Sequence, residues 1–168
     1  ERSKGLMKSI ILSHPNQKIN AQIELTGSKS ESNRALILQA LSQGKIVVAN
    51  PSAAADTATL DGILNSAPTK LIDVGPAGTA MRFLTAFLSL QPGEFVLTGT
   101  KRMQERPIGI LVDALRRLGA QIEYTENEGF PPLKIKGTFV QKTNKICIKG
   151  NISSQSVKVN TQNCRCHG

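Results

Sequence analysis

The spacing of apolar residues along the chain predicts a mixture of strands and helices. Residues 19–26 alternate apolar and polar side chains, which is typical of a half-buried strand. Residues 35–41 form an apolar run of helix formers, which predicts a buried helix with Gly44 as its C-cap. Similar short apolar or β-branched runs, bounded by turn residues, predict further strands at residues 9–12, 45–49, 71–74, 94–98, 121–124, 133–136 and 146–149.

Three more helices are predicted between these strands. Asp56 is a suitable N-cap for a helix over residues 56–65, and residues 83–90 form an apolar helix after a glycine-rich turn. The third helix has Pro107 in its first turn and Gly119 as its C-cap. This alternation is typical of an α/β or α+β chain, and its two strand–loop–helix segments indicate an internal repeat.

Loop 1 (residues 27–34) connects the predicted strand at residues 19–26 to the predicted helix that follows it. It contains Lys29, Ser30 and Arg34. A helix N-terminus presents free backbone N–H groups and the positive end of the helix dipole, so this loop suits a phosphate or carboxylate. Serines before a helix are N-caps more often than ligands, and local chemistry leaves both interpretations open. The loop is not a P-loop, and it contains no Gly-x-Gly-x-x-Gly motif.

Two later loops repeat this arrangement of a cation near a helix start. Loop 2 (residues 75–82) is glycine-rich and ends with Arg82, and loop 3 (residues 101–108) contains Arg102 and Arg106. A solvated helix start with ion pairs to a neighbouring glutamate would explain the loop 3 arginines without a ligand. Cations at a helix N-terminus oppose the dipole, however, so we expect an anion to compensate them.

Charge and composition narrow the classes of partner. The 168-residue chain has a net charge of +9, which favours acidic ligands, but its aromatic content is only 4% and its basic residues are scattered. A domain that binds nucleic acid is therefore the weaker alternative to one that binds small phosphorylated ligands. No apolar run reaches membrane-spanning length and the first residues lack a secretory pattern, so the expected location is the cytoplasm, with no membrane partner.

The three cysteines do not form a recognisable metal or disulfide motif. Cys164 and Cys166 are separated by one residue, whereas paired zinc thiolates usually have two residues between them, and Cys147 is distant. No bound metal is expected.

The three loops together resemble 3-phosphoshikimate 1-carboxyvinyltransferase (EPSP synthase). The matching runs are Gly-Ser-Lys-Ser-x-Ser-Asn-Arg at 27–34, Gly-x-Ala-Gly-Thr-Ala-Met-Arg at 75–82 and Arg-Met-x-Glu-Arg-Pro-Ile at 102–108, extended by residues 111–115 and 126–132. The resemblance covers about residues 19–155. The sister enzymes that act on UDP-N-acetylglucosamine carry a reactive loop cysteine, which has no counterpart before Cys147.

The resemblance implies transfer of the enolpyruvyl group of phosphoenolpyruvate to the 5-hydroxyl of shikimate 3-phosphate, without a metal or cofactor. This reaction belongs to the shikimate pathway, which leads to chorismate and the aromatic amino acids. Lys29 is implied as a catalytic residue that, with Arg106 and the Gly78 backbone, holds phosphoenolpyruvate, while Ser30 and Arg34 hold shikimate 3-phosphate. The complete implied substrate-binding set is Lys29, Ser30, Arg34, Gly78, Thr79, Arg82, Arg102, Arg106, Ser153, Ser154 and Gln155.

The implied fold is α+β, with two domains of repeated βαβαββ units (an α-β prism) around a central cleft. Within this fold, residues 1–18 would pack on a C-terminal domain, and residues 19–155 would form an incomplete N-terminal domain. Residues 156–168 are an atypical tail, because they have no apolar helical face. The resemblance thus implies a complementary C-terminal domain as a further partner.

Two residues depart from the family pattern. Pro76 stands where the family commonly has asparagine, which removes a side-chain amide near phosphoenolpyruvate. Phe83 stands where many members have proline, so the helix after loop 2 is expected to start differently. Both changes are expected to alter affinity for phosphoenolpyruvate and for inhibitors that mimic it.

The chain contains few acids for proton transfer around these loops. Glu31 and Glu105 are expected to pair with neighbouring arginines, and Asp56 to cap its helix. In the family the proton-transfer groups come from the opposite domain. We therefore expect the chain alone to bind shikimate 3-phosphate weakly, with turnover near background.

Overall fold

The computed structural model describes residues 20, 22–67, 69–143, 145 and 146. The predicted strand at residues 9–12, and residue 147 onward of the one at 146–149, lie outside these ranges. The described helices are α1 (Lys29–Leu41), α2 (Ala55–Asn65), α3 (Gly78–Ser89), α4 (Lys101–Gln104) and α5 (Gly109–Leu118). The described strands are β1 (Leu71–Asp73), β2 (Glu94–Thr98), β3 (Gln121–Tyr124) and β4 (Leu133–Lys136).

The four strands form one mixed sheet in the order β1-β2-β4-β3. Strands β1 and β2 are parallel, with Ile72 opposite Leu97, and α3 supplies the crossover that parallel neighbours need. Strand β4 pairs antiparallel with both β2 and β3. Between residues 71 and 136 the chain therefore completes one βαβαββ unit, which confirms the predicted type of fold.

Helix α3 packs across the sheet and forms the centre of the core. Its buried face contains Ala80, Met81, Leu84 and Leu88. Two polar residues on the same helix, Thr85 and Ser89, are also buried, and their hydroxyls donate to the helix carbonyls of Met81 (2.7 Å) and Thr85 (2.8 Å). The sheet contributes the buried residues Ile72, Phe95, Leu97, Ile122, Leu133 and Ile135.

Two predicted strands are wrong. The described residues of the stretches 19–26 and 45–49 form no strand, and Ile23, Leu25 and Val47 are 77%, 84% and 83% exposed. Alternation shows which face of a strand can be buried, but a strand also needs a neighbouring strand to satisfy its backbone. Neither stretch has such a neighbour among the described residues.

Helix α1 differs from its predicted form in both its ends and its burial. It begins at Lys29, so most of loop 1 is helical, and it ends at Leu41 with Ser42 rather than Gly44 as the C-cap. Leu36 is buried, whereas Leu38 and Leu41 are 55% and 46% exposed. The predicted buried helix is therefore buried on one side only.

The predicted starts of α2 and α5 are also wrong. The N-cap of α2 is Ala54, which puts Asp56 in the first turn of the helix rather than at its cap. Helix α5 begins at Gly109 with Ile108 as its N-cap, so Pro107 precedes the helix. The predicted C-cap is correct: Gly119 has a φ of +121°, a conformation that favours glycine, and its N–H donates to the carbonyl of Leu115.

No helix within the described ranges is both long enough and apolar enough to cross a membrane.

Candidate anion-binding site

The short helix α4 holds loop 3 against the core through one apolar side chain. Met103 is 2% exposed and belongs to the core cluster. Polar contacts fix the same segment from outside: the N–H of Thr100 donates to the carbonyl of Gly75 (3.1 Å), and the Gln104 amide donates to Thr98 Oγ1 (3.1 Å). With Met103 turned inward, the loop 3 arginines remain on the exposed side.

Loop 3 meets loop 2 at the start of α3, where Arg106 lies directly over Gly78. A Cβ added to Gly78 would be 2.6 Å from Nη1 of Arg106, so the absence of a side chain leaves the space that the guanidinium occupies. The N-cap residue Ala77 provides no side-chain cap for the first turn of α3. A guanidinium and an uncapped helix N-terminus therefore lie side by side, and both favour an anion.

Arg82 lies one turn further along α3 and ties the helix to loop 3. Its guanidinium donates to the carbonyls of Gly78 (3.3 Å) and Pro107 (3.2 Å). Burial, together with the charge of nearby Arg106, lowers the pKa of Arg82. Two guanidinium groups are thus held in the same region despite their mutual repulsion.

A cavity of about 460 Å³ opens between loops 2 and 3. Its volume lies within the range of ordinary small-molecule sites, roughly 300–1,000 Å³. The lining residues are Pro76, Thr100, Arg102, Met103, Glu105 and Arg106.

Loop 1 contributes two further cations at the first turns of α1. Lys29 Nζ lies 3.0 Å from Oδ2 of Asp56 on α2. Arg34 Nη1 donates to the carbonyl of Ser30 (2.6 Å), and its Cζ lies 6.0 Å from the ring centroid of Phe83 on α3. Arg34 therefore connects loop 1 to the helix that begins in loop 2.

Close packing and a buried hydrogen bond hold loop 1 against the segment that precedes α2. Gly27 packs so closely on this segment that an added Cβ would clash with the carbonyl oxygen of Asn50. Ser32 Oγ accepts a hydrogen bond from the N–H of Ser52 (2.9 Å), and both residues are buried. The positions of Lys29 and Arg34 are thus set by packing on α2 as well as by their own helix.

The site arginines have no acidic partner in the part of the chain that the structure describes. Its ion pairs join Lys29 to Asp56, Arg116 to Glu128 and Lys134 to Glu94. The predicted pairing of Glu31 and Glu105 with neighbouring arginines is therefore wrong among the described residues. Both glutamate side chains are exposed. The arginines instead donate to backbone carbonyls, lie near the Phe83 ring or line the cavity. The guanidinium groups of Arg34, Arg82, Arg102 and Arg106 have no carboxylate oxygen within 4.0 Å among the described residues.

Among the predicted site residues, Lys29, Ser30, Gly78 and Thr79 lie in the first turns of α1 and α3. Arg34 and Arg82 lie one turn further along these helices, and Arg102 and Arg106 lie in α4 and just after it. Thr79 lies partly exposed in the first turn of α3, beside Gly78. The predicted residues Ser153, Ser154 and Gln155 lie outside the described residues, as do the three cysteines. The sequence interpretation missed Asp56 as the partner of Lys29, because only the packing of α1 on α2 brings these two residues together.

Comparison with known proteins finds the same family that the motifs of loops 1 to 3 resemble. The chain matches the EPSP synthase (3-phosphoshikimate 1-carboxyvinyltransferase) family model over residues 13–67 and 59–161. The chain belongs to the EPSP synthase family. It is 54% identical to 3-phosphoshikimate 1-carboxyvinyltransferase of Bacteroides fragilis over 147 residues, and 44% identical to that of Psychromonas ingrahamii over 172 residues.

The EPSP synthase match covers most of this chain but a minority of each relative. The alignments cover 88% and 86% of the chain, yet only 35% and 40% of the two relatives. Among solved structures, EPSP synthase from Acinetobacter baumannii superposes with a TM-score of 0.67 at 24% identity, covering 80% of this chain and 36% of that one. This structural likeness establishes the fold of the described segment.

Proposed function

We propose that this chain supplies one part of an EPSP synthase active site, which binds shikimate 3-phosphate and phosphoenolpyruvate through loops 1 to 3. The observation that carries this proposal is the arginine set around the cavity and the start of α3, which has no carboxylate partner among the described residues. Holding Arg82 beside Arg106 is unfavourable in the free protein, and a phosphate or carboxylate between them would remove that cost.

The two anions are assigned to different loops. Arg106 and the Gly78 backbone would bind phosphoenolpyruvate, because the guanidinium and the uncapped first turn of α3 share one surface. Ser30 and Arg34 would bind shikimate 3-phosphate at the start of α1. Thr79, Arg82 and Arg102 would complete the cationic surface, and Ser153, Ser154 and Gln155 would join the shikimate phosphate site from residues outside the described part.

Lys29 is the proposed catalytic residue of this chain. In enolpyruvyl transfer the 5-hydroxyl group of shikimate 3-phosphate loses its proton as its oxygen bonds to C2 of phosphoenolpyruvate, and a proton adds to the methylene carbon of phosphoenolpyruvate. The resulting methyl group then loses a proton as the C–O bond to phosphate breaks, which regenerates the double bond and releases phosphate. An ammonium group can stabilise the charge that develops on the departing phosphate. The partly exposed Lys29 at the start of α1 is suitably placed for this role.

Isothermal titration with shikimate 3-phosphate tests the proposal. We expect Lys29→Ala/Arg34→Ala to bind at least about tenfold more weakly than the wild type, because hydrogen bonds to charged groups contribute about 1.5–3 kcal/mol each. The matched control Lys45→Ala/Arg117→Ala removes two exposed cations outside the loops and should change the affinity less than about twofold. Equal affinities for the two double variants would refute the proposed site.

Nucleic acid is the alternative ligand for a chain of this charge. A basic chain binds oligonucleotides non-specifically through phosphate contacts, so weak, salt-sensitive binding alone decides nothing. Oligonucleotide binding that shikimate 3-phosphate cannot displace, and that the loop variants do not weaken, would favour the alternative.

A further inference from the structure

We propose that Asp56 is a positioning residue, which holds the ammonium group of Lys29 in the orientation that anion binding requires. The proposal rests on the proposed function for the identity of the ligand, but the contact that it invokes is a property of the free chain. Lys29 Nζ lies 3.0 Å from Asp56 Oδ2, although the two residues are 27 positions apart in sequence.

Asp56 is well suited to anchor another side chain. It lies in the first turn of α2, where the helix dipole favours a carboxylate, and its side chain is only 24% exposed. The Lys29 side chain is 48% exposed, so its ammonium reaches solvent while one of its donors faces Asp56. An ammonium group has three N–H donors, which leaves two for an incoming anion.

The buried hydrogen bond between Ser52 and Ser32 also holds the start of α2 next to α1, which keeps Asp56 close to Lys29. Ser32, one turn after Lys29, accepts the hydrogen bond from the N–H of Ser52, just before α2. The backbone at the start of α2, which carries Asp56, therefore cannot shift away from α1 without breaking this buried hydrogen bond. A flexible lysine is thus oriented by a fixed carboxylate before any ligand arrives, which reduces the conformational entropy lost on binding.

A simple counter-ion would behave differently from a positioning residue. If Asp56 only neutralised Lys29, removing the carboxylate would strengthen anion binding whichever residue replaced it. If Asp56 positions Lys29, Asp56→Ala should weaken binding because the anchor is lost. Asp56→Asn keeps an oxygen that accepts from the ammonium and removes the repulsion of the anion, so it should bind at least as well as the wild type.

The position of Lys29 can be measured without any ligand, from the ¹⁵N order parameters of lysine ammonium groups. We expect the Lys29 ammonium to be more ordered than that of Lys134, whose Nζ lies 3.9 Å from Glu94 Oε2 and serves as an internal control. Asp56→Ala should lower the Lys29 order parameter to that of Lys134 or below, while Asp56→Asn should retain most of it. A Lys29 ammonium that is equally mobile in the wild type and in Asp56→Ala would overturn the proposal.

Titration with shikimate 3-phosphate then relates the position to binding. We expect Asp56→Ala to bind about fivefold more weakly, since an untethered lysine loses more rotamer freedom on binding, and to have no effect when Lys29 is already alanine. Where Lys29→Ala weakens binding, unchanged or tighter binding by Asp56→Ala would overturn the proposal, provided that its backbone amide spectrum matches the wild type. If wild-type binding does not depend on Lys29, the proposed function fails, and the order parameters still decide whether Asp56 positions Lys29.

Discussion

At the scale of single residues, the account depends on close approaches that a sequence shows only as residue types. Gly78 was predicted as a backbone ligand, and the structure adds a reason for glycine: the space above its Cα contains the Arg106 guanidinium. Glycine at this position therefore permits a cation to lie against the first turn of α3.

Replacing Gly78 by alanine should weaken ligand binding with little cost to the fold. The added methyl would displace the end of a flexible arginine rather than backbone, so the free energy of unfolding should change by less than about 1 kcal/mol. Affinity for phosphoenolpyruvate, measured with shikimate 3-phosphate present, should fall more than affinity for shikimate 3-phosphate. Gly62→Ala is the matched control: it has open space around it within α2, and it should raise stability by about 0.5–1 kcal/mol without affecting binding. Equal effects of the two substitutions on binding would contradict the assignment of Gly78.

Tyr124 gives the protein a predictable response to alkaline pH. Burial raises the pKa of its phenol, and the guanidinium of Arg116, 4.8 Å from the ring centroid, opposes this with a smaller effect. Because the folded pKa exceeds the unfolded value of about 10, this contribution to stability is complete below that pH and is lost as pH rises through the folded pKa. Tyr124 is the only tyrosine and there is no tryptophan, so absorbance reports its ionisation alone.

The expected result is an ionisation midpoint above that of a free tyrosine, together with a fall in the free energy of unfolding above about pH 10. Tyr124→Phe should remove this component of that fall. A midpoint below that of free tyrosine would contradict the burial argument and show that Arg116 dominates.

At the scale of elements, sequence patterns succeeded where each strand finds its partner nearby. Strands β2, β3 and β4 have the predicted bounds, because their alternating residues face a single core and their partners follow within the same unit. The same pattern failed at residues 22–26, where the described structure provides no neighbouring strand. Hydrophobic periodicity depends only on residues close together in the sequence, whereas strand pairing depends on residues that can be far apart along the chain.

Met103 should control the position of loop 3, because it is the buried side chain of the four-residue helix α4. Met103→Ala should lower the free energy of unfolding by about 2–5 kcal/mol, as expected for a large-to-small core substitution. It should also weaken phosphoenolpyruvate binding, since Arg102 and Arg106 flank the lost anchor. Met103→Leu, which nearly conserves volume, should cost less than about 1.5 kcal/mol and retain binding. Chemical denaturation and calorimetry measure both; loss of binding without loss of stability would contradict this role.

At the scale of the whole molecule, the sequence predicted the loops of the candidate site but not how they are combined. Each loop was recognisable from a cation beside a helix start. The contact of Arg106 with Gly78 and that of Lys29 with Asp56 depend on the packing of separate helices, which no local motif contains. Asp56 was accordingly interpreted as a helix cap, the commonest role for an aspartate at such a position.

Turnover should require more than this chain provides. The chain spans 35–40% of the relatives that it matches, and Glu31 and Glu105 are the only acidic residues within loops 1 to 3. Loss of general acid–base catalysis alone reduces rates by typically ~10²–10⁴-fold. A phosphate-release assay should therefore show near-background turnover for the 168-residue chain and a gain on addition of a complementary C-terminal fragment of a family member. Robust turnover by the chain alone would contradict this division of roles.

The central claim is that loops 1, 2 and 3 form one binding site for phosphorylated substrate. Amide chemical shifts of the ¹⁵N-labelled chain, followed during titration with shikimate 3-phosphate and then phosphoenolpyruvate, test it most directly. The account predicts saturable shifts confined to residues 27–34, 75–82, 101–108 and 153–155 and to the start of α2. The first ligand should act mainly on loop 1 and residues 153–155, and the second on loops 2 and 3. Shifts spread over the exposed basic residues, or absent from these loops at saturation, would contradict it.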